Sequence, residues 1–60
     1  MENSIEIKIG DILETFMGRK VKIKDIIYIG DLVYYQYRYL DTDELEWVNA
    51  RHIFGNIIYW

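Results

Sequence analysis

Val33-Tyr34-Tyr35-Gln36-Tyr37-Arg38-Tyr39 holds four of the six tyrosines of a 60-residue chain. Aromatic and β-branched side chains suit a pleated, half-buried surface, so this run reads as a strand. Side chains alternate between the faces of a strand, which separates Val33, Tyr35, Tyr37 and Tyr39 from Leu32, Tyr34, Gln36 and Arg38. The first set is expected to face a core, with tyrosine hydroxyls reaching its rim, and the second to face water or a partner.

The neighbouring segments extend this pattern in both directions. Gly30-Asp31 is a turn pair before the strand, and Asp41-Thr42-Asp43-Glu44 is a turn after it, with short polar side chains that bond their own backbone. Upstream, residues 20–29 alternate, with Val21 and Ile23 inward and Lys20, Lys22 and Lys24 outward. Continued alternation would bury Asp25, and an unpaired buried carboxylate is strongly disfavoured. A bulge of one residue near Asp25 avoids this, turns Ile26 and Tyr28 inward and bends the strand.

Further strands are expected over residues 5–9, ending at the Gly10-Asp11 turn, and over residues 12–16, with Met17-Gly18-Arg19 as the connection to the tyrosine hairpin. Residues 45–48 form another strand, with Leu45 and Trp47 on one face and Glu46 and Val48 on the other. Residues 49–54 lack strand alternation, and Asn49 can cap a single helical turn, so a one-turn 3₁₀ element is expected there. Gly55-Asn56 then leads into a last strand over residues 57–60.

One domain is expected of a chain this short, with a thin core. The hydrophobic content is 52%, and there is no cysteine to supply a disulfide, a zinc ribbon, an iron–sulfur site or a thiol nucleophile. No run is long enough for a membrane-spanning helix and no signal peptide is visible, so a cytoplasmic protein is expected. The net charge is −3. Residues 1–30 are balanced, and the acidic excess falls in residues 31–60, which works against general phosphate-backbone binding.

The order of strands, the helical turn and the stretches Ile9-Gly10-Asp11-Ile12, Gly18-Arg19-Lys20-Val21-Lys22-Ile23 and Trp47-Val48-Asn49-Ala50-Arg51-His52-Ile53 resemble small SH3-like barrels of the KOW and Tudor-like type from bacteria or phage. That resemblance covers roughly residues 9 to 60 and implies an all-β, five-stranded barrel with a 3₁₀ turn before the last strand, plus the strand over 5–9 as an addition. The chain lacks the Trp pair and the Pro-Ser-Asn-Tyr turn of peptide-binding SH3 domains, having no proline at all.

His52 is the only histidine, and it stands beside Arg51 without a second histidine or a cysteine, so neither a metal site nor a catalytic arrangement is expected. A non-enzymatic module without a cofactor follows. Its partner-binding candidates are an acidic patch of Asp41, Asp43, Glu44 and Glu46, and the aromatics Tyr34, Trp47, Tyr59 and Trp60, which together suit a protein with a basic surface. By analogy with other very small proteins, the more specific form is a phage-encoded inhibitor that blocks a host enzyme. The alternative is a single-stranded or duplex nucleic-acid binder using Arg19, Lys20, Lys22, Lys24 and Tyr28. The apolar run Ile57-Ile58-Tyr59-Trp60 exceeds what one small barrel can enclose, and self-association into a homodimer is expected to cover it.

Overall fold

The tyrosine strand and its neighbour form the longest hairpin of the chain. The computed structural model describes residues 7–59, in which β2 (Lys20–Ile29) and β3 (Leu32–Tyr39) pair antiparallel from Val21 opposite Tyr39 to Ile29 opposite Leu32. Gly30 and Asp31 make the two-residue loop, and Gly30 adopts φ 58° while Asp31 does not enter positive φ. A positive φ at the first loop position alone is the II′ pattern, whose twist matches that of the strands and which glycine adopts without a Cβ clash.

The ladder skips between Ile23 and Asp25, leaving Lys24 as the extra residue of a bulge. Before it, Val21 and Ile23 point inward and are fully buried. Beyond it the parity reverses, so that Asp25 stays in solvent and accepts a hydrogen bond from the Ile26 backbone N–H at 2.8 Å. Ile26 turns inward and packs half-buried on the core. Tyr28, also expected inside, is 72% exposed. It sits one residue before the end of β2, where the core that would cover it has already stopped.

Four shorter strands complete the sheet. These are β1 (Ile12–Thr15), β4 (Leu45–Asn49), β5 (Ile53–Phe54) and β6 (Ile57–Ile58), with a 3₁₀ turn at Ala50–His52 between β4 and β5. Their order across the sheet is β4-β3-β2-β1-β6-β5, with β1 and β6 parallel and every other pair antiparallel. The helical turn stands where expected, and the Asn49 side chain caps it by accepting from the Arg51 backbone N–H at 2.9 Å. Ile53 and Phe54, included from sequence in the segment of the 3₁₀ element, are instead a strand, because Gly55 at φ 63° lets them fold back on Ile57 and Ile58.

The protein is therefore all-β, with six strands among the described residues, Ile53–Phe54 being one the sequence did not suggest, and its hydrogen bonding does not close a barrel. It is nevertheless rolled. Only residues 50–52 separate β4 from β5 along the chain, although these strands are the two ends of the sheet. In a flat sheet, strand spacings of about 4.8 Å would hold those ends about 24 Å apart. The connection from Asn49 to Ile53 spans at most about 14 Å even when fully extended. The bulge at Lys24 contributes the bend this requires.

The core enclosed by the roll consists of Leu13, Val21, Ile23, Tyr37, Tyr39, Val48 and Ile58, with Ile7, Ile26, Tyr35 and Ile53 packed against it. Each fully buried aliphatic side chain contributes about 1.5–3 kcal/mol. Tyr37 is wholly buried, hydroxyl included, instead of reaching the rim, and its ring meets that of Tyr39 edge-on at 5.5 Å. Thr15 is the buried polar residue among the described residues, and its Oγ1 accepts from the Arg19 backbone N–H at 3.1 Å, which tightens the loop through Phe16, Met17 and Gly18.

Some expected strands fall short of their predicted bounds, that over residues 12–16 ending at Thr15. Of the strand expected over residues 5–9, residues 5 and 6 lie outside the described residues, and the other three, Ile7 to Ile9, are not in a strand. There the chain turns at Gly10, whose N–H donates to the Ile23 carbonyl at 2.8 Å. The last strand stops at Ile58, and Trp60 lies outside the described residues.

Candidate functional site

Residues opposite each other in a ladder share a face, so the register lays out the outer surface of the sheet. Ile27 stands opposite Tyr34, Ile29 opposite Leu32, and Trp47 opposite Gln36. The bulge moves Ile27 and Ile29 outward, where they meet Tyr34 from β3 and Trp47 from β4. These four side chains line an open pocket of about 300 Å³ on the convex face. Leu32 adds to the same apolar surface, with Ile29 57%, Leu32 45% and Trp47 44% exposed. A pocket of this size is at the small end of the range for ligand sites and has the character of one, apolar with few polar groups.

Tyr34 and Trp47, both candidates from sequence, are thus brought together, whereas Ile27 and Ile29 were missed. The signal for them was present: a bulge that turns Ile26 and Tyr28 inward must turn Ile27 and Ile29 outward. Tyr59 belongs elsewhere. Its ring stacks on Phe16 at 6.3 Å and meets Phe54 edge-on at 5.8 Å, and its backbone N–H donates to the His52 carbonyl at 2.7 Å. This second apolar cluster covers the β1–β2 loop and the β5 edge.

The acidic hairpin divides into bound and free carboxylates. Asp41 accepts from Arg19 through Nη2 at 2.9 Å and Nε at 3.4 Å, while the guanidinium carbon lies 3.8 Å from the centre of the Tyr39 ring. The hydrogen bond from Arg19 holds the Asp41 carboxyl below its ordinary value, and the same bond raises the Arg19 pKa. Asp43, with φ 66° at the turn, lies 3.8 Å from Arg38 Nε. Glu44 and Glu46 form no salt bridge among the described residues and are exposed. The turn itself is held by Thr42, whose Oγ1 accepts from the Glu44 N–H at 3.3 Å.

The basic stripe is similarly broken up. Arg19 is committed to Asp41, and Lys20 Nζ lies 3.4 Å from Glu14 Oε1. Lys22 and Lys24 are exposed and without salt bridges among the described residues. Tyr28 does not adjoin them: Lys22 precedes the bulge on the outer face, and Tyr28 follows it with inner-face parity, near Tyr35. Burial, and secondarily Tyr28, raise the Tyr35 hydroxyl pKa. His52 is half-buried in the 3₁₀ turn. Among the described residues no cluster of histidine, cysteine or carboxylates could hold a metal ion, and no helix is long and apolar enough to cross a membrane.

No family model, curated protein or solved structure matches the chain.

Proposed function

We propose that this chain is a non-enzymatic protein-interaction module whose docking surface is the pocket of Ile27, Ile29, Tyr34 and Trp47. The observation that carries the reading is the placement of large apolar side chains on the outer face of a sheet whose inner face already holds a complete core. Exposed apolar groups gathered in one place mark interaction sites, and a Trp beside a Tyr supplies the kind of anchor that dominates binding energy. Glu44 and Glu46 give the adjoining hairpin a negative field that speeds the approach of a basic partner.

An SH3-like architecture is part of the same proposal. What supports it is the rolled sheet and the 3₁₀ turn that joins its two edges. A compact inhibitor that occupies a surface of a host enzyme is the more specific form of the function. The rival nucleic-acid reading retains Lys22 and Lys24, with Tyr28 on the other face of β2.

The test compares immobilised wild-type protein with Trp47→Ala, Ile29→Ser and Phe54→Ser in capture from lysate, followed by affinity measurement on the captured protein. Trp47→Ala is expected to weaken binding by about 30-fold or more, in the range of an interface hot spot. Ile29→Ser weakens it less and Phe54→Ser leaves it intact. Equal capture by Trp47→Ala and wild type defeats the proposal, as does steeply salt-dependent binding of a labelled oligonucleotide with no protein captured.

A further inference from the structure

β4 is an end strand of the sheet, paired on one side with β3 and on the other with nothing among the described residues. Its sequence, Leu45-Glu46-Trp47-Val48-Asn49, puts two different chemistries on its two faces. Leu45 and Trp47 point to the outer face, 52% and 44% exposed, where Trp47 forms one wall of the pocket. Glu46 lies opposite Tyr37 on the inner-face parity, yet it is exposed because no further strand among the described residues covers it. Glu44 stands just before the strand, also exposed and without a salt bridge among the described residues.

We propose that β4 accepts an extended segment of a partner protein as an added strand, and that this segment alternates apolar and basic residues. The proposal rests on the protein-interaction reading above and specifies the partner's chemistry. An unpaired edge offers a row of backbone donors and acceptors that only another extended chain can satisfy along its length. Once such a chain is in register, its side chains fall alternately beside the two faces of β4. Those beside Leu45 and Trp47 meet apolar surface and extend the wall of the pocket. Those on the other parity meet Glu46 and, at the strand's start, Glu44, where Lys or Arg finds an opposite charge and an apolar residue does not. Neither a purely basic nor a purely apolar strand satisfies both faces.

The probe is a ten-residue synthetic peptide alternating Lys with Val or Leu, compared with a block-scrambled peptide of the same composition. Two N-methylated versions are added, one blocking the backbone N–H groups of one parity and one those of the other. Binding is followed by amide NMR on the full chain, with hydrogen exchange at residues 45–49. The alternating peptide is expected to bind at least tenfold more tightly than the scrambled one, and to slow exchange at the outward-facing amides of β4. N-methylation of one parity abolishes binding and that of the other leaves it within about threefold. Glu46→Lys weakens the alternating peptide at least tenfold, while the fold remains intact by thermal melting.

Equal binding of alternating and scrambled peptides overturns the proposal, as does indifference to N-methylation at both parities. Slow exchange at β4 without any peptide also overturns it, since the edge would then be covered by a second copy or by residues 1–6. The broader docking reading fails separately: it falls if Trp47→Ala leaves capture of the natural partner unchanged, or if an oligonucleotide is bound and no protein is captured.

Discussion

The β2–β3 hairpin has two halves of similar composition and opposite fate. On one side of Lys24, Val21, Ile23, Tyr37 and Tyr39 are buried in the core. On the other, Ile27, Ile29, Leu32 and Tyr34 face outward, although they are as apolar as the first group. Hydrophobicity alone therefore does not decide burial in this chain. The bulge decides it, by reversing which parity of β2 looks inward and by bending the strand so that the core ends near Ile26.

The largest difference between the halves is expected in stability. Ile23→Ala should lower unfolding free energy by about 2–5 kcal/mol, because it removes buried methylenes and leaves a cavity. Ile29→Ser, a comparably drastic change in polarity, should stay within about 0.5 kcal/mol of wild type. Urea denaturation of both variants measures the contrast, and equal destabilisation would break it.

A second expectation concerns the bulge itself. Because Lys24 has no partner in the ladder, its deletion leaves Ile23 opposite Tyr37 and Asp25 opposite Gln36 in ordinary alternation. The variant should keep the same residues on the same faces and lose curvature, which loosens the rolled core and lowers the melting temperature. Deleting Lys22 instead shifts one stretch of β2 by a single position, inverts its faces and should prevent folding. Circular dichroism and amide NMR dispersion distinguish the two outcomes.

The smallest expected effect belongs to the strap between the β1–β2 loop and the acidic hairpin. Asp41 is held below its ordinary value of 3.8 by the hydrogen bond from Arg19. A carboxylate with a depressed folded-state pKa stabilises the fold above that ordinary value, and the contribution disappears as pH falls through the depressed one. Asp41→Asn should therefore be slightly less stable than wild type at pH 7 and indistinguishable from it at pH 2. Both groups are exposed, so added salt should shrink the difference at neutral pH. Urea midpoints at the two pH values check the sign.

Much of this architecture was legible because backbone chemistry is local. Gly30-Asp31, the Lys20 to Ile23 alternation and the Asn49 cap each announce themselves within a few residues, and a charge that cannot be buried located the bulge. The distant facts were harder to read. Nothing local says that Ile57 and Ile58 will lie parallel to Glu14 and Thr15, which is what lets Ile53 and Phe54 form a strand. The length of the core along β2 was equally invisible, so Tyr28 was assigned inward by parity although no side chain remained to cover it. Of the site, the aromatics stood out by composition, whereas Arg19 was read as a free cation because its partner is 22 residues away.

The meeting of β1 and β6 also orders events in time. The β2–β3 hairpin needs only a two-residue loop to close, whereas the β1–β6 ladder must bring Glu14 to Ile57. Joining remote segments carries a greater loop-closure entropy, so the hairpin is the natural nucleus and the seam between β1 and β6 is the last step of assembly. The same seam should be the first to part, with amides at its ends exchanging faster than those flanking Ile23.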